Sequence, residues 1–200
     1  MSKQQLESIR KIRKAKKTFK KKTYKSLKQY AMDCIEFGIP SQAYGKGAEK
    51  IVKTLCSLHT EQANDRGDFE GGIEMKFSIA NNEGKVNFVQ LRPSYNIDHY
   101  MLVIYDPGIT GEDLFEVLIC KAVDLYSLLP EFGGYAHGTV EANGEITASN
   151  IEKNLVHNCE YALRPSTRST SKKGYKLLKK LREINLIEEE QWEKIKKNLV

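Results

Sequence analysis

The region between residues 73 and 106 has the most regular pattern of hydrophobic and polar positions in the chain. Apolar residues occupy every second position of 73–79, which predicts a half-buried strand because successive side chains of a strand point to opposite sides of the sheet. Turn-forming residues at 81–84 lead into a second predicted strand at 85–92, so we expect a β-hairpin. Residues 100–106 are almost all apolar, which is typical of a central strand buried on both faces.

Helices are predicted towards both ends of the chain. Residues 4–37 and 46–59 have apolar positions spaced three to four apart, as an amphipathic helix requires. The same spacing recurs at 175–184 and 188–199, with a short turn between the two segments.

The segments between these helices and the predicted sheet are less regular. Residues 114–120 fit a strand or a helix by pattern alone; we favour a strand, followed by a short helix at 121–129. We interpret residues 130–148 as a glycine-rich loop with one short strand at most, and 149–163 as a short helix. Residues 165–174 are rich in Ser, Thr, Lys and Gly and have the composition of a linker.

These elements predict an α/β (α+β) fold with a mixed central sheet flanked by helices. We divide the chain into a basic helical N-terminal segment at 1–40, a core at 41–163 and a basic helical C-terminal segment at 164–200. A length of 200 residues suits one globular unit that includes all three parts.

Positive charge is concentrated at the two ends. The chain has 32 Lys and Arg against 26 Asp and Glu, a net charge of +6. Twelve of the basic residues lie in 1–30, with one acid, and eight lie in 164–182, with none. Runs of lysine are often solvated helix faces, but charge at both ends also suits arms that follow phosphates. The candidate DNA-binding residues are Lys16, Lys17, Lys20, Lys21, Lys22, Arg164, Arg168, Lys172 and Lys173.

Cysteine usage and hydropathy narrow the class of protein. The four cysteines form no C-x-x-C pair, which argues against a structural zinc site. The N-terminus has no apolar stretch after its charges and the chain has no run of about 18 apolar residues. We therefore expect a cytoplasmic protein that does not contact membranes.

The predicted strand at 73–79 carries the candidate chemistry. Glu74 and Lys76 are two residues apart, so they share one side of the strand. Asp68 enters that strand through a short loop and can bring a second carboxylate to the same place; Asp65 competes with it, but Asp68 is nearer the strand. Two carboxylates at a strand end suit a hard divalent cation such as Mg²⁺, with Mn²⁺ as a substitute. The cation and a lysine can activate water and stabilise a pentavalent phosphate.

The sequence Gly67-Asp68, followed by Ile73-Glu74-Met75-Lys76, resembles the P-D…(D/E)-x-K signature of the restriction-endonuclease-like nuclease superfamily. The resemblance covers about residues 45–106, and it departs from the signature in having glycine before the aspartate. It implies that Asp68 and Glu74 bind metal and that Lys76 lies beside the attacking water.

Members of this superfamily often add a glutamate from the preceding helix and a glutamine from the next strand. Glu49 is the candidate glutamate, although a solvated helix face explains it equally well. Gln90 is the candidate glutamine. With a turn centred near residue 82, the predicted hairpin places Gln90 opposite Glu74, beside the metal-binding carboxylate.

The resemblance implies a Mg²⁺-dependent endonuclease that hydrolyses double-stranded DNA, most simply a type II restriction enzyme of prokaryotic or phage origin acting as a homodimer. Arg92, which continues the Gln90 side, and His137, in a glycine-rich loop, are further candidate DNA contacts. The alternatives are a repair, junction-resolving or homing nuclease with the same site, and a non-catalytic protein that binds nucleic acid through its basic helices. A third alternative is a structural phage or plasmid protein whose basic ends contact nucleic acid incidentally.

Overall fold

The computed structural model describes residues 19, 22–63, 65–109, 112–136, 144–186 and 190–200. The helices in these residues, numbered in chain order, are α1 Leu27–Glu36, α2 Ser41–Cys56, α3 Ala122–Ser127, α4 Leu129–Phe132, α5 Ala148–Asn154, α6 Lys172–Glu183 and α7 Glu190–Leu199. The strands are β1 Ile73–Ile79, β2 Phe88–Leu91, β3 His99–Asp106, β4 Leu114–Lys121, β5 Gly134–Tyr135 and β6 Tyr161–Leu163. None of the described helices is long and apolar enough to cross a lipid bilayer.

The first sheet has the strand order β1-β3-β4, with β1 parallel and β4 antiparallel to the central β3. Every residue of β3 after His99 is buried, as its apolar sequence predicts. The strand predicted at 114–120 is confirmed as β4, and it runs directly into the short helix α3. A mixed sheet flanked by helices is therefore the observed architecture.

The second sheet has the order β2-β6-β5 and is antiparallel throughout. The predicted hairpin of β1 with β2 is wrong, since β1 pairs with β3 and β2 pairs with β6. Turn residues do follow β1, but the chain then leaves the first sheet, and Lys85 forms a bridge with Ser166. The prediction that β1 is half-buried is also wrong, since Glu74 and Ser78 on its polar side are buried as well. The alternation identifies the side that packs in a hydrophobic cluster, but it does not specify which strand lies beside β1. The strand beside β1 is the largely apolar β3.

The first sheet separates two hydrophobic clusters. Alternate residues of β3 point to opposite sides, with Met101 and Val103 in one cluster and Tyr100, Leu102 and Ile104 in the other. Helices α1, α2 and α7 contribute to the first cluster. The second sheet and α3, α4 and α6 contribute to the second. The described parts of both terminal segments thus belong to the core of the fold.

The structure corrects the predicted helix at 4–37. Residues 22–26 are not helical, because α1 begins after Ser26, whose hydroxyl accepts a hydrogen bond from the backbone N–H of Gln29 (3.1 Å). Residues 1–18, 20 and 21 lie outside the described residues, and so do Lys16, Lys17, Lys20 and Lys21 among the predicted DNA contacts.

Two predictions in the C-terminal half are also wrong. The helix predicted at 149–163 ends at Asn154, and a 3-10 turn at Leu155–His157 and strand β6 follow it. A left-handed backbone at Asn158 (φ 50°) turns the chain from the helix into β6. The predicted linker at 165–174 is packed rather than free, since Ser166 is fully buried and its N–H donates to the carbonyl of Gly174 (3.0 Å).

Candidate active site

A tight turn places Asp68 beside the start of β1. The backbone N–H groups of Asp68 and Phe69 both donate to the carbonyl of Ile73 (2.8 and 3.0 Å). Gly67 has a φ of 95°, and a Cβ there would lie 2.6 Å from that same carbonyl oxygen. Only glycine fits this close approach. The residue that departs from the family signature is therefore required by the local backbone.

Strand β1 presents Glu74 and Lys76 to the same side, as predicted. Their side chains form an ion pair and are only 10% and 14% exposed. The intervening Met75 points into the hydrophobic cluster on the other side of the sheet, and its N–H donates to the carboxylate of Asp68 (2.9 Å). That bond holds the Asp68 carboxylate next to Glu74.

These side chains line a cavity of about 280 Å³ at the edge of the first sheet. The cavity is built by α2, the loop before β1, β1 itself and β2 with the residue after it. Six of the residues singled out from the sequence meet there: Glu49, Asp68, Glu74, Lys76, Gln90 and Arg92. The competing candidate, Asp65, is exposed and is not among the lining residues.

Glu61 also lines the cavity, and sequence reasoning missed it. Its carboxylate accepts hydrogen bonds from the backbone N–H groups of Gln62 (2.7 Å) and Ala63 (3.1 Å), which lower its pKa. It reaches the cavity because a bridge between Thr60 and Phe69 folds the loop back on itself. An acidic residue in a polar loop carries no periodic signal that could have identified it.

Two carboxyl groups of the cavity, Asp68 and Glu49, have raised pKa values. Burial, and then the negative charge of Glu74, raise the pKa of Asp68 to about 7 from 3.8. The same two causes, in the same order, raise the pKa of Glu49. The charge of Lys76 offsets part of both effects. The site therefore concentrates negative charge beyond what its own lysine compensates.

The donors in the cavity fit a hard divalent cation. Carboxylate oxygens are the ligands that Mg²⁺ and Mn²⁺ prefer. Among the described residues, no three His, Cys, Asp or Glu side chains converge closely enough to enclose a metal ion. Mg²⁺ does not require such an enclosure, because it keeps several waters and binds through one or two carboxylates. Asp68 and Glu74 are the pair that fits, with Glu49 beside them.

Gln90 reaches the cavity by a route that the sequence did not predict. In the sheet Glu74 is paired with Tyr100, so the expected register of Glu74 opposite Gln90 is wrong. Gln90 instead lies in an irregularity of β2, where the pairing with β6 shifts, and has a left-handed backbone (φ 58°). A bulge of this kind redirects a side chain, and strained backbone of this type is concentrated at functional sites.

Arg92 is held from several sides. Its Nε and Nη2 atoms donate to Glu160 Oε1 (2.8 and 2.7 Å), and its guanidinium lies over the ring of Tyr95 (4.9 Å). Its backbone N–H donates to the hydroxyl of Tyr100 (3.3 Å), while its carbonyl accepts from the hydroxyl of Tyr126 (3.1 Å). The cation is therefore fixed in place at the wall of the cavity.

The other predicted DNA contacts are dispersed. Arg168 forms an ion pair with the buried Asp106 (2.9 Å), so its charge serves the fold, and Lys22 pairs with the buried Asp33. Lys172 is exposed on α6, and Arg164 and Lys173 line a larger groove next to the cavity. His137 lies outside the described residues.

Comparisons of the chain with protein-family models, with curated proteins and with solved structures find no match.

Proposed function

We propose that this protein is a Mg²⁺-dependent endonuclease that hydrolyses phosphodiester bonds of double-stranded DNA. The observation that carries the proposal is the meeting of Glu49, Asp68, Glu74 and Lys76 in one cavity. These residues come from a helix, a loop and a strand, so their meeting is a property of the tertiary fold and not of one sequence motif.

The lining of the cavity favours water as the nucleophile. Among the described residues that line it there is no Ser, Thr, Cys, Tyr or His, the side chains that most often form covalent intermediates or act as a base for one. A bound Mg²⁺ supplies a Lewis acid and lowers the pKa of a water molecule. Asp68 and Glu74 are the residues that would hold it.

The cations of the cavity suit a phosphodiester substrate. The ammonium group of Lys76, held next to Glu74, is placed to orient a water molecule and to offset the charge that develops on the phosphate. The amide of Gln90 can hold a water or a phosphate oxygen. Arg92 is held in place by Glu160 through Nε and Nη2, and its remaining N–H groups can donate to a phosphate oxygen at the wall of the cavity.

Within this chemistry we propose the role of a type II restriction enzyme acting as a homodimer, in which each subunit cuts one strand. Repair, junction-resolving and homing nucleases with the same site are the alternatives, and a non-catalytic DNA-binding protein is the alternative from another class. All of the nucleases require Mg²⁺ to act, whereas the binding protein would leave DNA intact with any metal.

The test is incubation of the purified protein with long duplex DNA in Mg²⁺, Mn²⁺, Ca²⁺ or excess chelator. We expect cleavage with the first two and none with the last two, because Ca²⁺ is larger and binds with looser geometry. Discrete fragments indicate a restriction enzyme and a smear indicates a non-specific nuclease. Intact DNA under all conditions contradicts the proposal.

Glu74→Gln should be inactive, and the exposed Glu70→Gln, outside the cavity, is its matched control.

A further inference from the structure

We infer that the groove next to the cavity binds one strand of the DNA substrate on one side of the bond that is cut. This inference rests on the proposed function and names the path of its substrate. The groove has a volume of about 1210 Å³ and shares Glu49, Met75, Lys76 and Gln90 with the cavity. A strand lying in the groove would therefore lead directly into the candidate active site.

The charge of the groove suits a polyanion. Its basic lining residues are Lys46, Lys76, Lys85, Arg164 and Lys173, and its single acidic lining residue is Glu49, at the end next to the cavity. Within the described part of the chain Lys46, Arg164 and Lys173 form no ion pair, and Lys85 pairs only with the exposed Glu83. The described residues of the groove thus offer five cations against one lining carboxylate, that of Glu49, which lies close enough to Lys46 and Lys76 to feel their charge.

The basic residues of the groove come from separate parts of the chain, which distinguishes the groove from an ordinary solvated helix face. A solvated helix face places its lysines close together in sequence, on one element. Here they come from five separate segments: α2, β1, the loop before β2, the residue after β6, and α6. Tertiary folding brings them to one concave surface. The first turn of α6, which reaches this surface, contains no acidic residue and so adds no repulsion to an anion.

Only some of the DNA contacts predicted from the sequence lie in the groove. Arg164 and Lys173 line it, whereas Arg168, between them in sequence, is directed to the buried Asp106. Lys46 and Lys85 line it but belong to no basic run, so the charge distribution along the sequence did not select them.

The test compares two triple variants with the same change in net charge. In the groove variant Lys46, Arg164 and Lys173 are changed to Gln; in the control, the exposed Lys194, Lys196 and Lys197 of α7 are changed to Gln. Binding of a labelled duplex is measured by fluorescence anisotropy over a range of KCl concentrations, in Ca²⁺, so that no cleavage is expected. Each lost phosphate contact lowers the slope of log affinity against log salt by about 0.9.

We expect the slope of the groove variant to fall by about 2 to 3, and that of the control variant to change by less than 1. A third variant that retains the charges (Lys46→Arg, Arg164→Lys, Lys173→Arg) should keep the wild-type slope, which separates charge from folding defects. Equal losses in the groove and control variants, or an unchanged slope in the groove variant, would overturn the inference.

The same proteins separate this inference from the proposed function. Cleavage by the wild type in Mg²⁺ with an unchanged slope in the groove variant would reject the groove and leave the nuclease. Binding that depends on the groove, with no cleavage by the wild type in Mg²⁺ or Mn²⁺, would support the groove and reject the nuclease.

Discussion

The replacement Asp68→Asn should stabilise the metal-free protein at pH 8. Folding raises the pKa of Asp68 to about 7 from 3.8, through burial first and the charge of Glu74 second. An acid whose pKa is raised binds its proton more tightly in the folded state. The corresponding stability is therefore present below about pH 3.8 and is lost as the pH rises through about 7. Asparagine removes the charge, and its Oδ1 atom can still accept the hydrogen bond from the N–H of Met75.

The size of the effect follows from the same values. A difference of one pH unit between folded and unfolded pKa corresponds to about 1.36 kcal/mol, so the upper bound at pH 8 is roughly 4 kcal/mol. Asp68 keeps some contact with solvent, which screens its charge and reduces the penalty. We expect Asp68→Asn to raise the free energy of unfolding by about 1 to 2 kcal/mol at pH 8.

Urea unfolding in chelator at pH 8 and at pH 4 measures this effect, because the midpoint and slope give the free energy of unfolding at each pH. The gain should shrink towards pH 4, where Asp68 is protonated in the folded wild type. Glu70→Gln, at an exposed position two residues away, serves as the control. A loss of stability at pH 8, or an equal gain at both pH values, would refute the reasoning. Added Mg²⁺ should stabilise the wild type and not Asp68→Asn.

Three further predictions concern the same site. Glu74→Ala should abolish cleavage and leave DNA binding in Ca²⁺ nearly intact; cleavage at a near wild-type rate would remove Glu74 from the catalytic site. Gly67→Ala should destabilise the fold by about 1 to 3 kcal/mol in thermal unfolding, because of its positive φ and the backbone clash. Gly71→Ala, whose φ is also positive but whose Cβ meets nothing, should cost less, and equal losses would contradict the clash. Arg92→Lys should slow cleavage by roughly 10² at unchanged DNA affinity, since the planar fork is lost. Arg182→Lys, at an arginine with its own carboxylate partner outside the cavity, is the control, and similar slowing in both would argue against a catalytic role for Arg92.

Sequence patterns predicted those parts of the fold that depend on local burial. The alternation at 73–79 and the apolar run at 100–106 each predicted a strand, and both are strands of the first sheet. The apolar run correctly indicated a strand buried on both faces, whereas the polar face of β1 is covered although its sequence predicted exposure. Strand β6 has three residues and follows a helical segment, so it offered too short a pattern to detect. The pairing of β2 could not be predicted from local patterns either, because its partner strand lies more than 60 residues further along the chain.

The residues of the candidate site were predicted more accurately than the strand pairing and the loop that bring them together. The spacing of Glu74 and Lys76 depends only on strand geometry, and Asp68 follows from a short loop, so local reasoning was sufficient for both. Gln90 was placed beside Glu74 through a hairpin that does not exist; it reaches the cavity through a bulge in the second sheet. Glu61 requires the folded loop, which no local pattern describes.

Because residues of both sheets line the cavity, its parts are completed at different stages of protein synthesis. Synthesis proceeds from the N-terminus, and early segments can fold before later ones emerge. Glu74 and Lys76 lie on β1, in a sheet whose strands are complete by residue 121. Gln90 and Arg92 depend on β6 and Glu160, which are made later. A truncated or nascent chain that ends before Glu160 would contain Glu74 and Lys76 in their sheet without the contacts that position Gln90 and Arg92. The cavity is therefore completed only when the C-terminal part of the chain has been made.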